Sequence, residues 1–136
     1  MVEMLIAGER TAGEAGEALP VVDPATEEVI TEVPRGTVQD VDSAVEAAHE
    51  AFKTWQKTDA EDRANLLRKA IALIERDRKE LMLSLVHEQG KPVTEAGGEI
   101  HHLIHGLNYY ADLATKVKGS YHELPSALSK AYGMVI

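Results

Sequence analysis

Between Thr37 and Val117 apolar residues return in steps of three and four, a spacing that commits the middle of the chain to amphipathic helices. The pattern is broken only where helix ends are spelled out. Thr37-Val38-Gln39-Asp40 reads as a capping box, in which Thr37 takes an orphan N–H of the first turn. The stripe behind it runs Val38, Val41, Val45, Ala48, Phe52 and Trp55, so Phe52 and Trp55 are expected in the core. Thr58-Asp59-Ala60-Glu61 reads as a second capping box, followed by Ala64, Leu67, Ala70 or Ile71, and Ile74. The charged run ERDRKE interrupts this stripe, and Asp77 can cap a fresh helix carrying Leu81, Leu85 and Val86. Gly90 is the residue type expected just past a helix end, with Pro92 as a stop. A fourth pattern then extends from Val93 to Val117 through Ala96, Ile100, Leu103, Ile104, Leu107 and Ala111. Gly97 and Gly98 lie inside it. Each glycine costs about 1 kcal/mol against alanine there, so the pair implies close packing or a break.

The flanks follow a different period. MLIAGER reads as a short strand entering a glycine turn, and TAGEAGEA as a polar connection. In LPVVDPATEEVITEVP two apolar runs flank Asp23-Pro24-Ala25-Thr26, where Pro24 fixes its own φ and Asp23 can bond the backbone ahead; this is a strand pair. After Gly119 the sequence favours extended structure. The chain therefore reads as an α+β segment: strand pair and turns over residues 1–36, helices over 37–118, extended chain over 119–136.

Composition narrows the function. The 136 residues suit one domain, and a formal charge of −9 argues against a nucleic-acid binder, which carries a basic face. The basic residues from Arg63 to Lys79 alternate with acids and form a solvated face. With no cysteine, the chain itself supplies no disulfide, thiolate ligand or thiol nucleophile. No signal-peptide pattern or membrane-length apolar run is present, so a cytoplasmic setting without membrane contact is expected.

Motifs of chemistry fail when held to their geometry. Gly90-Lys91 lacks the rest of a phosphate loop, because Leu85 and Pro92 stand where glycine and a hydroxyl residue are needed. Gly8 to Gly13 has the loop spacing, but Glu14 replaces the lysine and would repel phosphate. His101 and His105 are four apart on a helix and could face one ion, yet no third ligand matches them. Half-buried polar positions on an amphipathic helix are the simpler reading of the pair. No serine or threonine sits in a strained glycine turn with histidine and carboxylate partners.

Taken together, VVDPATEEVITEVPRGTVQDVDSAVEAAHEAFKTW, DRANLLRKAIALIERDRKEL, HEQGKPVTEAGGEI and LNYYADLA resemble, in this order and spacing, the N-terminal part of the aldehyde dehydrogenase superfamily. The likeness runs from about Leu5 to Ile136. It implies that the segment is part of that family's α/β fold, that Gly-Lys-Pro joins two helices, and that the twin glycines begin a long helix. It further implies a final excursion used in oligomer contacts, with Tyr132 to Ile136 opening the dinucleotide-binding sheet.

The resemblance also implies an activity. These enzymes oxidise an aldehyde to an acid through a cysteine thiohemiacetal, pass hydride to NAD or NADP, and release the product with glutamate-activated water. Those residues lie later in the family's sequence than Ile136, so no catalytic or cofactor-binding residue is expected here, and the chain alone is expected to be inert. It then reads as a piece of a longer polypeptide or a truncated gene product, whose partners are the remainder of that polypeptide, further copies and the aldehyde. Two lesser roles carry over. The carbonyl of Val22 and the carboxylate of Glu88 match positions that hold a structural cation in some members, Glu88 replacing a shorter aspartate. Gly98 and His102 match positions lining the substrate tunnel. The alternative is a freestanding, non-catalytic helical interaction module.

Overall fold

The computed structural model describes residues 2–124 and 131–135, with side chains up to residue 119. Strands β1 (Met4–Ile6) and β2 (Glu9–Thr11) form an antiparallel hairpin. Its two turn residues, Ala7 and Gly8, have φ of 54° and 85°, the paired positive values of the turn whose twist suits a two-residue hairpin. The strand in TAGEAGEA's first residue and the two before it escaped the sequence reading, because three residues show no period. Strands β3 (Ala18–Val22) and β4 (Val29–Pro34) form the expected antiparallel pair, with a register shift between Val21 and Val22.

Four helices follow: α1 (Val38–Trp55), α2 (Ala60–Arg76), α3 (Arg78–Gln89) and α4 (Val93–Leu113). The capping box opening α1 forms as read, and Asp40 does more than cap. Its carboxylate accepts from the Thr37 N–H at 2.8 Å, the Thr37 hydroxyl at 2.8 Å and the Glu14 N–H at 3.2 Å. One buried side chain thus starts α1 and ties it to the loop after β2. The second box does not form. Asp59 is the N-cap of α2 without a side-chain bond, and Thr58 donates back to the Thr54 carbonyl. Asp77 separates α2 from α3 as expected, but its carboxylate is held by Arg76 rather than by the helix it precedes.

The Thr37 N–H and hydroxyl, with the Glu14 N–H, hold the Asp40 carboxyl below the usual range. A depressed carboxylate contributes stability that is full above its unfolded value, about 3.9, and is lost as pH falls through its lower folded value. Urea midpoints are therefore expected to fall more steeply below about pH 4 in the native chain than in Asp40→Asn, which has no such proton to gain.

The core lies where α2, α3 and α4 meet. Ile71, Ile100 and Ile104 are buried against one another, flanked by Ile74, Met82, Leu85 and Leu107. Ala64, Ala96 and Ala111 bring the helices close at three further points. α4 runs unbroken through the twin glycines. Gly97 sits under Met82, whose sulfur would lie 3.6 Å from an added Cβ, while nothing lies within 4 Å of the corresponding point at Gly98. The glycines thus answer to a close approach on one side and open space on the other.

α1 overturns one expectation. Its stripe does not enter the core: Val38, Val41, Val45, Phe52 and Trp55 are all exposed, Trp55 by 44% and Val38 by 79%. The side of α1 turned to the rest of the chain carries Asp40, Ser43, Ala44 and Ala47, and its neighbour is the small β1–β2 hairpin. The helix was legible; its partner was not. Steps of 3, 4, 3, 4 and 3 residues make a seam built to receive another helix, and among the described residues it lies open. Beyond α4, the turn Ala114–Lys116 leads to β5 (Ser120–Leu124), which pairs antiparallel with β6 (Ala131–Val135). The segment expected to open a dinucleotide-binding sheet is, within this chain, the second arm of that hairpin; Ile136 lies outside the described residues.

Candidate functional site

The residues singled out from sequence fall at two places. The first is a corner where the β3–β4 turn meets the α3–α4 connection. Asp23, 7% exposed, builds the turn by accepting the Ala25 N–H at 2.8 Å. Its backbone donates to the Glu28 carbonyl at 2.9 Å and accepts from the Glu27 N–H at 2.8 Å. The other carboxylate oxygen meets Nδ1 of His87, near the end of α3, at 3.1 Å. Those bonds, His87 first and the Ala25 N–H second, lower the Asp23 pKa. Pro24 closes the corner over Gly90. Gly90 has φ of 66° and donates its N–H to the Val86 carbonyl at 2.8 Å. A Cβ there would lie 2.7 Å from Pro24 Cγ, so both the backbone and the space call for glycine.

Val22 immediately precedes Asp23, and Glu88 immediately follows His87. The Asp23–His87 bond therefore brings the two proposed cation positions to the same corner. Both are exposed. Among the described residues no group of three or more histidines and carboxylates could hold a metal ion. Lys91, only 17% exposed, pairs with Glu99 on α4 and pins the connection from its far side. Gly-Lys-Pro thus serves as the corner between two helices, and the Gly8–Gly13 segment as a hairpin with its outgoing strand.

The second place is the outer side of α4. Gly98 is half-buried and His102, one turn on, is exposed. The His102 ring lies 5.9 Å from that of His101, tilted by 59°. The two places do not meet. An open groove of about 700 Å³ between the N-terminal segment, β4 and α3 is lined by Val2, Ile30, Leu83, His87 and Glu88 among others, and by neither Gly98 nor His102. Sequence reasoning missed the Asp23–His87 pair: its members are 64 residues apart, and only the Asp-Pro turn hinted that one of them was structural.

The described residues form an antiparallel strand pair clamped to a three-helix core, with the apolar seam of α1 left open. The aldehyde dehydrogenase family model matches residues 11–135. The chain belongs to the aldehyde dehydrogenase family. It is 39% identical over 125 residues to an aminoaldehyde dehydrogenase of Zea mays, covering 86% of this chain and 25% of the maize protein. It is 34% identical to an NADP-dependent D-glyceraldehyde dehydrogenase of Picrophilus torridus, covering 99% of this chain and 29% of that one. The crystal structure of succinate-semialdehyde dehydrogenase from Burkholderia pseudomallei superimposes with a TM-score of 0.90 at 32% identity, over 96% of this chain and 27% of that one. The chain thus spans about a quarter of the relatives it matches.

Proposed function

We propose that this chain is the N-terminal part of an NAD(P)-dependent aldehyde dehydrogenase, one that oxidises an aldehyde to an acid with the remainder of the polypeptide. The observation that carries this reading is the match across residues 11–135 to a family whose members are about four times as long. The open seam of α1 supports it, because an apolar face of five large side chains needs a covering layer. Its occupant on this reading is the remaining polypeptide. The relatives include NAD- and NADP-dependent enzymes, and either cofactor would bind outside these 136 residues.

On the same reading the three stretches 1–36, 37–118 and 119–136 act as strand pair, helical layer and oligomer-contacting excursion, in a homo-oligomeric cytoplasmic enzyme. Gly98 and His102 line the substrate tunnel, where an absent side chain and an exposed imidazole would face the incoming aldehyde. The Val22 carbonyl and Glu88 carboxylate are hard oxygen donors of the class a structural alkali or alkaline-earth cation takes, and their chain neighbours Asp23 and His87 are bonded to each other. They are two donors, so further oxygens would have to come from the rest of the protein or from water.

The test is the longer polypeptide carrying this segment. It is expected to form NADH or NADPH one for one with aldehyde consumed and to lose that activity when its cysteines are alkylated. A longer polypeptide that binds aldehyde without reducing either cofactor would replace the enzyme with the interaction-module reading.

A further inference from the structure

We propose that His101 and His105 form a two-imidazole site for a borderline divalent transition-metal ion, Zn²⁺, Ni²⁺ or Cu²⁺, on the outer flank of α4. The two residues are one helical turn apart, which sets their Cβ atoms about 5–6 Å from each other on one side of the helix. Two ring nitrogens about 2.0–2.1 Å from a shared ion fit that separation, as they do where paired histidines at this spacing bind zinc. α4 is a firm platform. Ile100 and Ile104, each next to one of the histidines, and Ala111 further along are buried in the core and fasten α4 there.

Both rings are exposed, not half-buried as the sequence suggested, and neither takes part in a hydrogen bond or ion pair among the described residues. His87 shows the contrast, its Nδ1 being committed to Asp23. Unengaged neutral imidazoles are the ligands that zinc, nickel and copper prefer, and the formal charge of −9 favours a cation over an anion. No group of three or more histidine and acidic ligands exists among the described residues, so the remaining coordination positions belong to water. The ion would staple two successive turns of α4 and thereby stabilise the folded chain. His102 supplies an internal control. It lies about 60° around the helix from His105, against about 40° for His101, so its variant separates the four-residue pair from a three-residue one.

Nickel chloride titrated into the untagged chain at pH 7.5, read by calorimetry and by thermal melting, decides the matter. The expected result is one bound ion and a raised melting temperature. His101→Ala and His105→Ala should each weaken binding at least about tenfold, the scale on which even outer-shell partners count, while His102→Ala leaves it unchanged. All three positions are exposed, so circular dichroism is expected to show each variant folded. Binding that survives both His101→Ala and His105→Ala, equal weakening by His102→Ala, or no binding at all would overturn the proposal.

Discussion

Purified as 136 residues, the chain is expected to form no NADH or NADPH from any aldehyde, and its melting temperature should not move with either cofactor. The reason is chemical. Thiohemiacetal formation needs a thiolate, and the chain has no cysteine. A ligand that binds only the folded state raises its stability by an amount set by concentration over Kd, so a flat melting temperature at millimolar NAD reports the lack of a site. Aldehyde-dependent NADH formation that survives rigorous purification would mean that a different nucleophile operates here, and would sink the account of the chain as one part of a divided machine.

The second large effect is on stability, and it separates two residues that look alike in the sequence. Ile100→Ala removes a side chain 5% exposed from the centre of the helical core and should cost about 2–5 kcal/mol. Trp55→Ala, at 44% exposure, should change the stability of this chain by less than about 1 kcal/mol. In a longer polypeptide whose other layers cover α1, the same tryptophan change should cost about 3–5 kcal/mol. Denaturant midpoints of both variants in both contexts check this. A large loss for Trp55→Ala in the 136-residue chain would mean that α1 finds its cover within these residues.

Helices were the most legible part of the fold because their period is local. Thr37, Gly90 and Pro92 each mark an end through a bond or torsion formed within a few residues of themselves. Thr58 has the same local pattern as Thr37 and does not cap, since its hydroxyl turns back to the carbonyl of Thr54. The direction in which a stripe faces is not local information. Val38 to Trp55 and Ile100 to Leu107 are equally regular, yet the first lies open while Ile100 and Ile104 of the second are buried and its Leu103 is left exposed. Only the neighbours decide, and for α1 the neighbour in these residues is a short hairpin against its alanine side. The corner at Asp23 was half legible for a similar reason. Its turn is written in Asp23 and Pro24, whereas its bond to His87 depends on how the helices return.

The open seam of α1 also has a meaning in time. The 125 aligned residues amount to 25% of the maize relative, whose length is therefore about 500 residues. In a protein of that length, synthesised at about 5–20 residues per second, roughly 20–70 s would pass between the emergence of this segment and the release of the chain. The helices of the Ile71–Ile100–Ile104 core can assemble early, because everything they need has already left the ribosome. Val38, Val41, Val45, Phe52 and Trp55 would wait through that interval with no layer to lie on, a greasy ridge on an otherwise finished unit. That ridge is where a nascent chain of this kind would engage a chaperone, and where two nascent chains on one message would first stick together.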